Sequence, residues 1–321
     1  MHAAAARPEV ILPAYGCPDL VAAAVHTGVV PVLVDIRRDD PAFAADALCA
    51  ALNDRTVAVV AVNFLGIRER LPELRQVLGG FPHVCLIEDD AQWFPVPDFP
   101  PTGDFVCLSF GRGKPVSLLG GGALLARDSL HLPGFASTIA AIGPDRGLAA
   151  RVLAYNLLRH PRCYGLVSRN PLFRLGATEY QPLRSIEPMS ANALAILPAN
   201  VEQQLSGSAE VRARIAGGLD EAMNLPLNAG DRCGQLLRYP VLCADRQTRD
   251  RKLQQLQAAG LGATAMYGLP LAQIPRIAEL ASIVGEHHGA VAFSNRLLTL
   301  PLHDGVTTSD AERMVRILRA D

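Results

Sequence analysis

The 321-residue sequence predicts an α/β protein with a three-layer large domain, built on a mostly parallel sheet, and a smaller α+β domain at the C-terminus. In the first half of the chain, short and uniformly apolar runs alternate with helical patterns, which is typical of a parallel sheet covered on both faces by helices. Half of the residues are apolar, enough to bury one large core or two. After LPLNAG the order of strands and helices changes, which indicates a separate α+β unit.

The first half contains six predicted strands and three predicted helices. The strands are EVILPAY (9–15), VVPVLVDI (29–36), TVAVVAVNF (56–64), HVCLIED (83–89), DFVCLSF (104–110) and GGALLA (121–126), and the helices cover 19–28, 46–54 and 69–79. In such a sheet the binding site lies at the carboxyl ends of the strands. Two of these ends, LIEDD and CLSFGRGK, carry polar residues that a core strand does not need, so they mark the candidate site.

The second half begins with a predicted helix over 148–165 and an irregular, proline-rich segment over 166–188. A long helix is predicted from 190 to about 224, with a break expected near Pro198. The remaining elements are a strand at 236–244, a helix at 246–260, the runs ATAMY and LLTLPLH, and a last helix at 308–320. We therefore expect a large domain over residues 1–200 and a small C-terminal domain, including the linking helix, over residues 201–321.

Composition and charge exclude several classes of function. The formal net charge is −1 with acidic and basic residues interspersed, so no basic surface predicts a nucleic-acid partner. No apolar run reaches the roughly 18 residues that a membrane span needs. The seven cysteines are scattered singly, and neither cysteines nor histidines have metal-binding spacing. We therefore expect free thiols, no metal and a cytoplasmic location.

Lys114 is a candidate catalytic residue because lysine is rare in this chain. Lys114 and Lys252 are the only lysines, whereas 28 of the 30 basic residues are arginine. A lysine at the end of CLSFGRGK therefore predicts a task that a guanidinium group cannot perform, namely that of a neutral amine attacking a carbonyl. Partial burial and the neighbouring Arg112 would both disfavour the ammonium form. The alternative interpretation is an exposed turn lysine without a role.

Glu88, Asp89 and Asp90 place three carboxylates at the end of an apolar strand. Asp90 could cap a following helix, but three carboxylates exceed what capping needs and predict a cationic partner. A protonated pyridine nitrogen would fit, because a buried carboxylate beside it keeps such a ring cationic. Gln92 follows at a spacing that lets it face the same ligand, and Ser109, at the end of the next strand, could reach a phosphate.

The ordered series EVILPAY, GVVPVLVDI, RTVAVVAVNFLG, LIEDDAQ, GDFVCLSFGRGK and GGGALL resembles the DegT/StrS family of sugar aminotransferases, and MSANALAIL and RLLTLPLH match later family segments. The resemblance implies the fold of the PLP-dependent transferases (the aspartate-aminotransferase fold, fold type I), with pyridoxal 5'-phosphate as the cofactor. It also implies that Lys114 forms an imine with the cofactor and moves the proton at the substrate carbon, and that Asp89 pairs with the pyridine nitrogen. Gln92 would lie near the phenolic oxygen of the cofactor, and Ser109 would contact its phosphate.

The resemblance further implies transfer of an amino group from an amino acid such as glutamate to a keto sugar, linked to a nucleotide, in polysaccharide or glycoconjugate biosynthesis. The protein would be a homodimer with each site at the subunit interface. Two alternatives remain open. One is another reaction on the same cofactor, such as sugar dehydration, although family members that dehydrate sugars replace the lysine. The other is a catalytically impaired member that acts as a binding or scaffolding subunit.

The sequence also departs from the family pattern. Relatives carry an N-terminal segment, with a Ser-Gly-Thr turn that holds the phosphate, before the stretch that matches EVILPAY. Cys17 stands roughly where the family often has an aromatic ring stacked on the cofactor, and the Asn-Tyr-Arg motif is not visible in EYQPLRSIEPMSAN. A fragment, a misassigned start and a divergent member that binds the cofactor weakly all remain open. Phosphate contacts worth about 1.5–3 kcal/mol each would change the affinity by orders of magnitude.

Overall fold

The computed structural model describes residues 7–127, 143–159, 178–205 and 209–320, and its main sheet has seven strands. Together with those of a second, two-stranded sheet, the strands are β1 (Glu9–Pro13), β2 (Val30–Val34), β3 (Thr56–Val62), β4 (Cys85–Asp89), β5 (Phe105–Ser109), β6 (Gly122–Ala126), β7 (Arg238–Leu242), β8 (Ser282–Ile283) and β9 (Leu297–Pro301). The order across the main sheet is β6-β5-β4-β3-β1-β2-β8, and all neighbours are parallel except β5 and β6. The α/β class and the mostly parallel sheet are therefore confirmed.

Helices connect and cover the strands. They are α1 (Asp19–His26), α2 (Ala45–Ala51), α3 (Leu71–Leu78), α4 (Leu148–Arg159), α5 (Ala191–Leu205), α6 (Glu210–Gly218), α7 (Leu225–Ala229), α8 (Arg246–Ala258), α9 (Ile277–Leu280), α10 (His288–Arg296) and α11 (Thr308–Arg319). The strands and helices predicted for the first half are all present, within a few residues of their expected ends. Within the described ranges, no helix combines the length and the apolar character that crossing a membrane requires.

The break expected near Pro198 is wrong, because α5 runs through this residue. Pro198 is exposed, so it removes one backbone hydrogen bond without burying a polar group. The flanking Leu197 and Val201 pack against the apolar cluster of the β5–β6 loop, and this packing holds the helix in place. The predicted tail of α4 at 160–165 and the first part of the irregular segment, up to residue 177, lie outside the described residues.

Both faces of the main sheet are buried, because alternate residues of its central strands point to opposite sides. On one face Ile11 and Val59 pack against α2 and α3. On the other face Leu12 and Val60 pack against α1 and against residues 271–280. This last segment continues into β8, which pairs with β2, so a late part of the chain completes the edge of the main sheet. The division of the chain at residue 200 stays a prediction.

The antiparallel pair of β7 and β9 forms a second core with α6, α8 and α11. Lys252 of α8 is buried, and its Nζ donates to the carbonyl oxygens of Ile317 and Ala320 at the C-terminus of α11. An ammonium group at this end of a helix satisfies the last carbonyls and complements the helix dipole. The second lysine of the chain therefore has a structural role.

Candidate active site

The carboxyl ends of β3, β4 and β5 lie side by side at one edge of the main sheet. Asp89, the last residue of β4, pairs in register with Val62 of β3 and Cys107 of β5. Ser109 ends β5, and Cys17 follows shortly after β1. Parallel pairing thus brings polar residues from distant parts of the sequence to the edge where α/β sheets bind their ligands.

Lys114 lies in the loop between β5 and β6, and packing fixes this loop. Its backbone N–H donates to the carbonyl oxygen of Gly111 at 3.3 Å, and Gly113 takes a φ of +69°, which glycine adopts without strain. Phe110 and Leu118 are both buried and anchor the loop, and the backbone N–H of Leu118 donates to the carbonyl oxygen of Phe110 at 2.8 Å. The half-buried side chain of Lys114 is therefore carried by an ordered turn.

The structure brings Lys114 and Asp89 together, because the two side chains interact electrostatically across the sheet edge. Burial raises the pKa of the Asp89 carboxyl, while the backbone N–H of Ala91, which donates to Oδ1 at 2.9 Å, and the charge of Lys114 lower it. Cys17 belongs to the same group of side chains. Burial and the nearby Asp19 raise the pKa of its thiol to about 11, and Lys114 acts in the opposite direction.

Ser109 and Lys114 stand on either side of Gly111. The Ser109 Oγ accepts a long hydrogen bond of 3.4 Å from the Gly111 backbone N–H. A Cβ atom added to Gly111 would lie 3.5 Å from Ser109 Oγ and 3.8 Å from Lys114 Cγ. The missing side chain at Gly111 therefore leaves an opening about the size of a methyl group between the hydroxyl and the lysine.

Gln92 makes hydrogen bonds within the protein through both the oxygen and the nitrogen of its side-chain amide. Its Oε1 accepts from the Leu65 backbone N–H at 2.9 Å, and its Nε2 donates to the Tyr267 hydroxyl at 2.6 Å. The side chain is buried. Gln92 therefore lies at the predicted edge of the sheet, with its amide group hydrogen-bonded to Tyr267.

Of the three carboxylates at the end of β4, Asp89 is the one near Lys114. Glu88 is buried and accepts hydrogen bonds from the backbone N–H groups of Thr102 and Gly103, both at 2.6 Å. Asp90 is buried and accepts from the side-chain amide of Asn63. Glu88 and Asp90 thus hold neighbouring loops, which explains two of the three acidic residues without a ligand.

Asn63 joins Asp90 to the backbone of Glu69, a residue whose carboxyl group is also buried. Its Oδ1 accepts from the Glu69 backbone N–H at 2.9 Å while its amide donates to Asp90. Burial raises the pKa of Glu69 to about 7. Burial and the adjacent Glu88 raise the pKa of Asp90 to about 7 as well, and Asn63 partly offsets them. Both groups therefore hold a proton in the folded protein at pH values where the unfolded chain has lost it.

This pair predicts that the protein loses stability as the pH rises. An acid whose folded pKa exceeds its unfolded pKa favours folding most at low pH, and this contribution disappears between about pH 4 and about pH 7. Asp90→Asn removes one of the two groups, so its free energy of unfolding should fall less over this interval, by about 2 kcal/mol or more. Urea unfolding of both proteins at several pH values measures the difference. If the free energies of unfolding of the two proteins changed equally with pH, the raised pKa assigned to Asp90 would be contradicted.

Sequence reasoning missed Tyr267, which enters the site from the turn that follows residue 263. The hydroxyl of Tyr267 is buried, and Cys17 and Asp89 are among its electrostatic neighbours. In the sequence this tyrosine ends the run ATAMY, and nothing in that run marks a functional residue. Its partner Gln92 lies 175 positions away, so a contact of this kind emerges only from the fold.

The sequence matches the DegT/DnrJ/EryC1/StrS aminotransferase family over residues 1–146 and 189–319, which is most of the chain. The unmatched stretch between these ranges falls largely on the proline-rich middle segment. No curated protein matches the sequence significantly.

Solved structures of relatives share the fold. Spr1654 from Streptococcus pneumoniae, in its PMP form, has a TM-score of 0.73 and 19% identity over 97% of this chain and 81% of that one. DesI in the presence of its TDP-sugar product has a TM-score of 0.67 and 22% identity over 99% of this chain and 76% of that one. The GDP-4-keto-6-deoxy-D-mannose-3-dehydratase of E. coli, with bound hydrated PLP, has a TM-score of 0.69 and 15% identity over 98% of this chain and 80% of that one.

The residues at the sheet edge fit pyridoxal phosphate. The half-buried Asp89, whose pKa is raised by burial, gains from a cationic partner such as a protonated ring nitrogen. Lys114 supplies an amine beside it, and the Ser109 hydroxyl is a hydrogen-bond donor of the kind that a phosphate group needs. With the family match over most of its length, the chain belongs to the DegT/DnrJ/EryC1/StrS aminotransferase family, and it is a pyridoxal-phosphate-dependent transaminase.

Proposed function

We propose that this chain transfers the amino group of an amino acid, with glutamate as the first candidate, to a keto sugar linked to a nucleotide, in the cytoplasm and in the biosynthesis of a polysaccharide or glycoconjugate. The proximity of Lys114 to Asp89 at the edge of the main sheet is the observation that carries the proposal. The TDP-sugar product of the structural neighbour DesI supports a nucleotide-linked sugar. The six cysteines in the described ranges are free thiols, which supports a reducing compartment.

Pyridoxal phosphate, when bound, supplies an electron sink for the bonds at the substrate carbon. In our proposal the amine of Lys114 would hold the cofactor at its carbonyl carbon and, once the amino group of the substrate has displaced it, would move a proton at the reacting carbon. The carboxylate of Asp89 holds the proton on the ring nitrogen. The hydroxyl of Ser109 would donate to the phosphate, because an anionic oxygen is a strong hydrogen-bond acceptor.

The proposed assembly is a homodimer with each site at the subunit interface. Large apolar side chains are exposed on three neighbouring elements, namely Leu124 and Leu125 on β6, Leu153 on α4, and Leu194 and Ile196 on α5. An exposed apolar surface of this kind favours contact with a second chain.

Sedimentation velocity should find a mass of about twice the 34.2 kDa of one chain. A monomer at micromolar concentration would refute the dimer.

Transamination is tested by a half-reaction followed by visible absorbance. The purified protein is mixed with pyridoxal phosphate, the band of the lysine-bound cofactor is recorded, and glutamate is added. Loss of the band with formation of 2-oxoglutarate is expected, and addition of a nucleotide-linked keto sugar should restore it. A band that glutamate leaves unchanged, together with water loss from a nucleotide-linked sugar, would favour the dehydratase alternative. No band at high cofactor concentration would favour a binding or scaffolding subunit.

A further inference from the structure

The turn that carries Tyr267 is tied to the rest of the protein at both ends. Before the turn, Thr264 exchanges two backbone hydrogen bonds with Thr299 of β9, at 3.0 and 2.7 Å. After the turn, the Leu271 backbone N–H donates to the carbonyl oxygen of Ala14, just beyond β1, at 2.8 Å. These bonds fix the position of Tyr267 relative to both sheets.

The turn is also strained. Met266, the residue before Tyr267, has a φ of 54°, in the left-handed region that side chains other than glycine rarely adopt. Backbone strain of this kind persists only where the surrounding contacts impose it, and it is concentrated at functional sites. The contacts that orient Tyr267 therefore outweigh the energetic cost of this backbone conformation at Met266.

The hydrogen bonds of Gln92 determine which way the Tyr267 hydroxyl donates. The Leu65 backbone N–H is a donor, so the atom of Gln92 that faces it must be the carbonyl oxygen Oε1. The amide Nε2 of Gln92 then faces Tyr267 and donates to its oxygen at 2.6 Å. Because this oxygen accepts from Gln92, the proton of Tyr267 points to a different acceptor, and Cys17 is the neighbouring side chain that can take this role when no cofactor is bound.

The surroundings of the hydroxyl keep it protonated and near the candidate site. Burial, followed by the neighbouring Cys17 and Asp89, raises the pKa of Tyr267 well above its ordinary value. The ring is held by Tyr15 and Phe64, with ring centroids 5.8 and 6.3 Å away. Tyr267 is thus a rigid hydrogen-bond donor on the side of the site that contains Cys17 and Asp89.

We propose that Tyr267 faces the cofactor and that its hydroxyl donates to the phenolic oxygen of bound pyridoxal phosphate, while Gln92 is a positioning residue that holds the tyrosine. This proposal rests on the proposed function, because it needs pyridoxal phosphate in the site. It differs from the role that the family resemblance implies for Gln92, because Tyr267 and not Gln92 would contact the phenolic oxygen. The C-terminal part of the chain would in this way supply a residue that contacts the cofactor.

The test is a pH titration of the visible band of the lysine-bound cofactor. A donor to the phenolic oxygen withdraws charge from it and so lowers the proton affinity of the adjacent nitrogen of Lys114. Tyr267→Phe should therefore raise the midpoint by about one to two pH units and weaken cofactor binding by about tenfold to a hundredfold. Gln92→Leu, which frees the tyrosine without removing it, should shift the midpoint in the same direction by a smaller amount.

Tyr15→Phe is the matched control. Tyr15 lies in the same aromatic cluster, and its buried hydroxyl faces the backbone of Tyr267 and Gly268, so this variant removes a hydroxyl beside the turn while keeping that of Tyr267. This variant should leave the midpoint unchanged, whereas a general effect of losing a hydroxyl would move it. If the wild-type protein forms the band and the titration midpoint of Tyr267→Phe equals that of the wild type, this proposal fails and the proposed function is unaffected. Absence of a wild-type band at saturating pyridoxal phosphate overturns both this proposal and the proposed function.

Discussion

Replacing Lys114 by alanine should abolish the covalent attachment of pyridoxal phosphate and lower the rate of transamination by at least about 10²- to 10⁴-fold. The lower limit comes from proton transfer alone, which a positioned base accelerates by this amount, and the variant also loses the covalent step. The rate at which glutamate bleaches the visible band, compared between wild type and variant in single-turnover experiments, measures the loss. A variant that retains a bleachable band would refute the assignment of Lys114.

The scarcity of lysine makes the site of attachment easy to identify. Borohydride reduction converts the imine into a stable amine, and peptide mapping then has only Lys114, Lys252 and the N-terminal amine to distinguish. We expect the label on Lys114, since the Lys252 ammonium is buried and donates to two carbonyl oxygens. The control Lys252→Met should keep the label while unfolding more easily. Labelling of Lys252 in the wild type would contradict the site.

The two lysines illustrate how far composition can be interpreted. The buried Lys252 has a specific structural task, whereas the role of Lys114 stays a prediction, and rarity alone does not distinguish these two kinds of task. Lys252 caps α11 from α8, 65 positions earlier than Ile317, so its role depends on packing between elements that are distant in the sequence. Lys114 follows a strand end, and strand ends in a parallel sheet are predictable, which is why its location could be expected.

The acidic run at the end of β4 shows what residue spacing could and could not predict. Asp89 lies near Lys114, as the position of both at strand ends leads one to expect. Glu88 binds the backbone of Thr102 and Gly103, and Asp90 binds Asn63, and these partners could not be read from the local sequence. Local patterns therefore predict the strands and the edge of the site, whereas the side-chain partners depend on how the loops return to the sheet.

The same distinction applies to Gln92. Its spacing from Asp89 placed it correctly at the sheet edge, but its hydrogen bonds depend on Tyr267, which the chain brings back from 175 positions away. The turn that presents Tyr267 is defined by backbone bonds to β9 and to the end of β1, not by a motif of its own. A single sequence contains no signal for such a contact.

The exposed Pro198 within α5 is a similar case, because packing on one side of the helix outweighs one lost hydrogen bond.

Replacing Asp89 by asparagine should slow transamination by about 10- to 10²-fold while leaving the cofactor attached to Lys114. An amide cannot hold the proton on the ring nitrogen as a carboxylate does, and loss of a charge-assisted hydrogen bond of about 1.5–3 kcal/mol corresponds to a rate change of this order. The visible band should therefore form, but glutamate should bleach it slowly. Stopped-flow absorbance measures the rate.

Asp90→Asn is the matched control for this prediction, because it makes the same chemical change one residue further on. Asp90 binds Asn63 and lies among buried carboxyl groups, so the variant should change the pH dependence of stability and leave the bleaching rate within about twofold of wild type. If Asp89→Asn bleached as fast as wild type, the carboxylate would have no role at the ring nitrogen. If both variants were equally slow, a general disturbance of the strand end would explain the loss, and the assignment of Asp89 would fail.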